Sequence, residues 1–276
     1  MKTEDIKIGN GSKKVPRRRI GFDTIGSIAV IDSDGKDAQD AAQGIMKTHK
    51  NILTVLSKGG PVKGRYRKRK YTYVMGKKSY QTTHRENGAS FLLDLRQVYF
   101  SPRLAYERKR IVDLSKDGER VVVMFSGIGP FAIEIAKKNK NSIVVGIEMN
   151  REGQKYALKN RELNKTLNFI PVLGDAGKPS RKYFGFADRI LMPLPMDSER
   201  FLDAAFKIAG ERCIIHYYAF VEDGGKEALK KIKKLCREKR RRFKLIGIRE
   251  VRPYSSLISE IVIDFSISTI GKKKSA

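Results

Sequence analysis

Phe125-Ser126-Gly127-Ile128-Gly129-Pro130-Phe131 follows the apolar run Val121-Val122-Val123-Met124, and an acid, Glu148, closes a second apolar run from Ile143 to Ile147. This layout suits a nucleotide cofactor. Glycines at the carboxyl end of a buried parallel strand let the backbone turn tightly and approach a ligand, and an acid ending the next strand can hold a pair of ribose hydroxyls. Gly127-x-Gly129-x-x-Ala132 also satisfies the dinucleotide fingerprint, so the spacing leaves the cofactor open, and a tight turn without a ligand uses the same glycines. Asp175 and Pro193-Leu194-Pro195 each follow another apolar run. Ligands of an open α/β sheet bind beyond the carboxyl ends of its strands, so the loops after Phe125, Glu148, Leu173 and Met192 are expected to converge on one crevice. Asp175 could accept from the exocyclic amine of an adenine or cap a helix. Pro193 and Pro195 carry no N–H and cannot continue a central strand, so Pro193-Leu194-Pro195 shapes a pocket edge or ends the strand.

A second set of reactive side chains is cationic. Lys63 to Lys70 reads Lys-Gly-Arg-Tyr-Arg-Lys-Arg-Lys, and as a strand it would send Arg65, Arg67 and Arg69 to one face. Such a row of guanidiniums suits phosphate or a base carbonyl, although an edge strand using charge to resist aggregation has the same composition. Lys230 to Arg242 surrounds Ile232, Leu235 and Cys236 with cations and reads as the solvated face of an amphipathic helix. His216, within Ile214-Ile215-His216-Tyr217-Tyr218, reads as a core histidine, and His49 as a helix-end residue. Cys213 and Cys236 have neither CxxC spacing nor histidine companions, so both read as plain thiols and no metal site is expected.

The elements that must position these groups fall into two parts. Residues 1–19 are polar and basic without periodicity and read as a flexible tail. Residues 20–94 read as a small α+β domain, with strands at Phe22 to Ile31 and Asn51 to Leu56, a helix at Asp37 to Lys50, and extended stretches at Tyr66 to Met75 and Tyr80 to Asp94. In residues 95–276, strand-like and helical runs alternate at βαβ intervals. Strands are predicted at 121–125, 143–148, 169–173, 188–192, 212–217, 244–252 and 260–267, with helices at 130–139, 151–164, 198–209 and 225–241. The short link Pro253 to Ser259 makes the last two strands an antiparallel edge hairpin. The fold class is therefore α/β, a doubly wound Rossmann-like sheet whose edge hairpin suits a class I methyltransferase better than a parallel dinucleotide domain.

Charge narrows the partner. With 58 Lys and Arg against 30 Asp and Glu, the formal net charge is +28, far more than solubility requires, so a polyanion is expected and nucleic acid leads. No run of 18 or more apolar residues exists and Met1 to Lys14 lacks an apolar signal region, so the expectation is a cytoplasmic protein without a membrane partner.

Four local patterns carry a family resemblance: Thr83-His84-Arg85-Glu86-Asn87-Gly88, Val98-Tyr99-Phe100-Ser101-Pro102-Arg103-Leu104-Ala105-Tyr106-Glu107-Arg108, Gly127-Ile128-Gly129-Pro130-Phe131, and Ile215-His216-Tyr217-Tyr218. Together, from about Phe22 to Ser268, the chain resembles the archaeal and eukaryotic tRNA (guanine-37 N1)-methyltransferases and their wybutosine-pathway relatives. The family's further small amino-terminal domain has no counterpart in these residues. The resemblance implies methyl transfer from S-adenosylmethionine to the purine beside the anticodon, with the tRNA anticodon stem-loop as partner and a monomeric enzyme. It places Tyr99, Phe125, Gly127, Gly129 and Glu148 at the cofactor, where Asp175 is expected from its position after a strand, Glu107 as general base, and Arg67 as the arginine that steadies charge developing on O6, with Arg69 its competitor. Arg65, Arg69, Arg103, Pro193, Leu194 and Pro195 are the expected substrate contacts.

Two departures from the family pattern stand out. Val123 replaces a usual aspartate two residues before Phe125, and Pro193 replaces an asparagine expected to hold the target base. A tricyclic wyosine precursor presents a different edge, so methylation of that intermediate, or aminocarboxypropyl transfer to it, is the alternative substrate reading. A tRNA-binding paralogue without catalysis is the alternative from another class. A nicotinamide-dependent oxidoreductase is permitted by the glycine spacing alone and gives no account of the charge.

Overall fold

The computed structural model describes residues 4–6, 20–60, 64 and 69–270. The first sheet has the order β1-β2-β3-β4-β5, formed by β1 (Glu4–Ile6), β2 (Ile20–Ile25), β3 (Ile28–Ile31), β4 (Thr54–Lys58) and β5 (Tyr71–Gly76). Its one parallel pair, β3 with β4, needs a crossover, which is α1 (Gly35–Thr48) with Ala38, Ala41, Ala42 and Ile45 against the sheet. The stretch read as one strand from Phe22 is a hairpin. Gly26 adopts φ +58, and a Cβ there would collide with the Thr82 hydroxyl and the Thr83 carbonyl. A glycine that permits both the turn and the approach of a neighbouring strand breaks an otherwise strand-like run.

Tyr80 to Asp94 likewise folds back on itself, as β6 (Gln81–Glu86) and β7 (Ala89–Asp94). Asn87 and Gly88 both have positive φ, 47° and 74°, the pairing that a two-residue hairpin turn demands. This hairpin forms its own two-stranded sheet and reaches both neighbours. His84 Nδ1 accepts from the Gly26 N–H at 3.1 Å, and Asn160 brackets Leu92 by accepting from its N–H and donating to its carbonyl.

The large sheet has the order β10-β9-β8-β11-β12-β14-β13. Its members are β8 (Arg120–Met124), β9 (Ile143–Glu148), β10 (Phe169–Leu173), β11 (Ala187–Met192), β12 (Ala209–Val221), β13 (Arg241–Pro253) and β14 (Ser259–Thr269). All pair in parallel from β10 to β12, and β14 then inserts antiparallel between β12 and β13. The expected edge hairpin is present, with its second strand on the inside. Helices α2 (Ala105–Leu114), α3 (Pro130–Lys138), α4 (Arg151–Leu163), α5 (Leu202–Ile208) and α6 (Lys226–Glu238) complete the layers.

Both faces of the sheet are covered, so its central strands read as unbroken apolar runs. Val121 and Val123 face the core shared with α3, α4 and β7, while Val122 and Met124 face the core built with α5 and α6. Val123, fully buried, therefore packs as a core side chain, where an acid would need a partner. Helix α6 buries Ile232 and Cys236 and leaves its lysines outside. Among the described residues no helix is long and apolar enough to cross a membrane.

Candidate active site

At the carboxyl ends of β8, β9, β10 and β11 lies a cleft of about 900 Å³. Phe125 opens it with a left-handed backbone, φ 58°, a conformation uncommon outside glycine. The chain turns again at Gly127, φ 56°, where nothing lies within 4 Å of a built Cβ, and at Gly129, φ 91°. The Ser126 N–H donates to the Ile147 carbonyl at 3.0 Å and the Gly129 N–H to the Ser126 carbonyl at 2.9 Å, which tie the loop to β9 and to itself. Glu148 accepts from the Gly127 N–H and from the Asn150 N–H, both at 2.7 Å. Burial pushes the Glu148 carboxyl above its usual range, with those backbone donors pulling the other way. The carboxylate thus spans two loops while still lining the cleft.

Asn150 caps α4 through Oδ1, which accepts from the Glu152 N–H at 3.1 Å, and its amide donates to the Gln97 carbonyl at 3.0 Å. That second bond fixes the segment carrying Val98 and Tyr99 against the cofactor side of the cleft. Asp175 Oδ1 accepts from the Gly177 N–H at 2.9 Å, shaping a tight loop. Phe201 meets Phe125 edge-on, with ring centroids 4.6 Å apart, and closes the apolar wall. Ser126 Oγ is buried without a hydrogen-bond partner.

Glu107, on α2, is buried at 2% exposure in a different setting. Arg110 reaches both its oxygens, at 2.8 and 2.9 Å, the Tyr218 hydroxyl donates to Oε1 at 2.6 Å, and Arg249 stands 3.6 Å from Oε2. Burial, and after it the charge of Glu107, raises the Tyr218 hydroxyl well above its ordinary pKa, so it remains a donor.

Residues 82–245 match the TRM5/TYW2 methyltransferase domain. The tRNA (guanine(37)-N(1))-methyltransferase Trm5b of Pyrococcus abyssi is 38% identical over 252 residues, covering 90% of this chain and 74% of its own. The chain belongs to the TRM5/TYW2 methyltransferase family. Among solved structures of the family, aTrm5 in complex with tRNALeu superposes with a TM-score of 0.80 at 29% identity, over 89% of this chain and 71% of that one. The structure of Methanocaldococcus jannaschii TYW2 with AdoMet superposes with a TM-score of 0.71 at 26% identity, over 90% of this chain and all of that one, 100%.

Within this TRM5/TYW2 fold, the cleft brings together Tyr99, Phe125, Gly127, Glu148, Asp175, Pro193 and Leu194. Gly129, Pro195 and the expected base Glu107 do not line it. A Cβ at Gly129 would press on Phe169, so that glycine serves the packing of α3 on β10, and Pro195 is buried beneath the loop. Arg103 is engaged with Asp23 of β2 at 2.7 and 3.2 Å, and its half-exposed guanidinium is committed to tying the turn before α2 to the first sheet. Arg65 and Arg67 lie outside the described residues, whereas Arg69 is described and half-buried.

Several cleft residues escaped the sequence reading. Asn150, Lys178, Met196 and Asp197 line it from turns that carry no periodic signal, and Arg200 and Phe201 from the 3-10 turn Ser198–Phe201 that opens the helix predicted at 198–209. Of the groups around Glu107, only Tyr218 sits on a strand whose alternation is legible. His216, Tyr218 and Phe220 alternate along β12 and so share one face, the period expected of a strand that presents polar groups to one side.

Proposed function

We propose that this chain is a cytoplasmic, monomeric tRNA methyltransferase that transfers a methyl group from S-adenosylmethionine to N1 of guanosine 37, beside the anticodon. The observation that carries this reading is the cleft in which Glu148 bridges the Gly127 and Asn150 amides between Tyr99 and Phe125. Open space at Gly127 and an acid at the ribose position suit an adenosine-bearing cofactor. When bound, S-adenosylmethionine supplies an electrophilic methyl on a sulfonium.

The guanine N1–H is weakly acidic, so a carboxylate must take its proton as the N1–methyl bond forms and the sulfur–methyl bond breaks. Glu107 is that base in this reading, and Arg67, or its neighbour Arg69, steadies the charge developing on O6. Residues 20–94, with the basic run Lys63 to Lys70 inside them, contact the tRNA anticodon stem-loop, while residues 95–276 carry the chemistry; of the basic segment 1–19 expected as a flexible tail, Glu4–Ile6 is instead β1, paired with β2. Arg65 and Arg69 serve phosphate, and Pro193-Leu194-Pro195 borders the target base.

Mass spectrometry of position 37 after incubation with S-adenosylmethionine tests the assignment. The expected product on unmodified tRNA is N1-methylguanosine, and no methylation of any tRNA would reject it. Glu107→Ala is expected to lower turnover by at least about 100-fold with cofactor affinity nearly intact. A second reading rests on Pro193, which borders the cleft and has no amide to offer a base. Under it a wyosine-precursor tRNA is methylated in preference to plain guanosine, and the same experiment run on both substrates separates the two.

A further inference from the structure

One face of the β12–β14–β13 corner carries a buried polar stripe that the cofactor cleft does not use. Opposite pairs across β12 and β14 are His216 with Asp264, Tyr218 with Val262 and Phe220 with Glu260, so these side chains share one face, which α2 meets at Tyr218 and Asp264. His216 Nε2 lies 2.7 Å from an Arg189 guanidinium nitrogen, and Nδ1 lies 2.6 Å from Asp264 Oδ1. Arginine can only donate, so Nε2 accepts and the imidazole is the neutral Nδ1–H form, which donates to Asp264. Burial also pushes His216 below its usual pKa. The other oxygen of Asp264 accepts from Arg110 at 2.6 Å, and the same guanidinium holds both oxygens of Glu107.

The charge balance is informative. Glu107 and Asp264 face Arg110 and Arg249, while Arg189 is matched by Glu119 at 2.7 Å. If Glu107 takes a proton, its charge vanishes in a place where an unpaired guanidinium is costly. Arg110 would lose its main counter-ion, yet Asp264 still holds it.

We infer that Asp264, acting through Arg110, is a positioning residue for methyl transfer, the second counter-ion that allows buried Glu107 to accept the substrate proton. His216 fixes Asp264 by a neutral hydrogen bond, Arg189 and Glu119 fix His216, and Tyr218 from β12 and Arg249 from β13 complete the set of groups that face Glu107. Burial would raise Asp264, but His216 and Arg110 outweigh it and hold the carboxyl below its usual range, so it stays charged through the reaction. This inference rests on the reading of Glu107 as the base.

The test is the single-turnover rate of methyl transfer against pH, at saturating S-adenosylmethionine and tRNA. Asp264→Asn keeps the shape and deletes the charge. The expected result is a rate at least about tenfold lower, an acid limb moved to lower pH, and tRNA and cofactor affinities within about twofold of wild type. Arg110→Gln removes the shared cation and is expected to move the acid limb the opposite way, to higher pH, which remains readable if Asp264→Asn fails to fold. Asp264→Glu, which restores the charge, is expected to recover the wild-type limb. Unmoved limbs in both Asp264→Asn and Arg110→Gln, in proteins with wild-type cofactor affinity, would overturn the inference. Glu107→Gln separates the two levels: turnover in that variant rejects the base itself, whereas its inactivity beside unmoved limbs rejects only the role of Asp264.

Discussion

Glu148 does at the scale of one residue what two loops require. Its carboxylate takes the Gly127 and Asn150 amides, which would otherwise point unpaired into the cleft, and it remains on the cleft wall. Hydrogen bonds to a charged group contribute about 1.5–3 kcal/mol each, and losing the carboxylate also unfastens the glycine turn. Glu148→Ala is therefore expected to weaken S-adenosylmethionine binding at least about tenfold, measured by calorimetry, with tRNA affinity unchanged. Undiminished cofactor affinity would show that the acid only ties the loops. Phe125, with its left-handed backbone, is the other single-residue device, because the strained turn aims its ring at Phe201 across the cleft.

At the scale of elements, the β6–β7 hairpin is held to the large sheet's helices by polar side chains that sequence patterns do not advertise. Fully buried Asn160 accepts from the Leu92 N–H at 2.7 Å and donates to the Leu92 and Ile128 carbonyls at 3.1 and 3.2 Å. Asn160→Leu would orphan these buried groups, and a loss of about 2–4 kcal/mol in urea unfolding is expected. A second tie is the cluster where Arg108 of α2 sits between Glu86 of β6, at 2.5 Å, and Glu134 of α3, at 3.7 Å. Burial first, and then the charge of Glu86, push Glu134 up to about 8 against the pull of Arg108. A carboxyl whose folded pKa is raised binds a proton that the unfolded chain has released. Its contribution is thus complete below the unfolded value, about 4.5, and is lost as pH rises through about 8. The melting temperature is expected to fall across that window by roughly 2–4 °C per pH unit, following about 1 kcal/mol per unit. Glu134→Gln, neutral throughout, is expected to flatten the decline, and an equal slope in the variant would assign it to other groups.

For the whole molecule the net charge of +28 sets the behaviour toward RNA. Each phosphate neutralised releases a counter-ion, so affinity for tRNA is expected to fall by roughly 10³-fold or more between 50 and 200 mM salt if about six phosphates are engaged. Arg69→Ala is expected to reduce the slope of log affinity against log salt by about one, measured by filter binding over that range. A flat salt dependence would place the excess charge away from the RNA. Cofactor binding, confined to a cleft lined by few cations, is expected to change little over the same range.

Local pattern determined much of this protein. The apolar runs of β8 and β9 announce a sheet buried on both faces, the short link after Pro253 announces the edge hairpin, and glycines after β8 with Glu148 ending β9 mark the cleft. These signals are legible because periodicity and turn chemistry act between residues close in the chain. The break at Gly26 was hidden because its reason is the approach of another strand, whereas the break at Asn87-Gly88 is written in the run as an Asn-Gly hairpin turn. The surroundings of Glu107 lay further from reach. Glu107 and Arg110 are three residues apart, but Tyr218, Arg249 and Asp264 come from three strands more than a hundred residues downstream. Only the insertion of β14 between β12 and β13 sets Asp264 beside His216 and under α2. Buried charge needs partners wherever the chain can supply them, and which segments supply them is settled by packing.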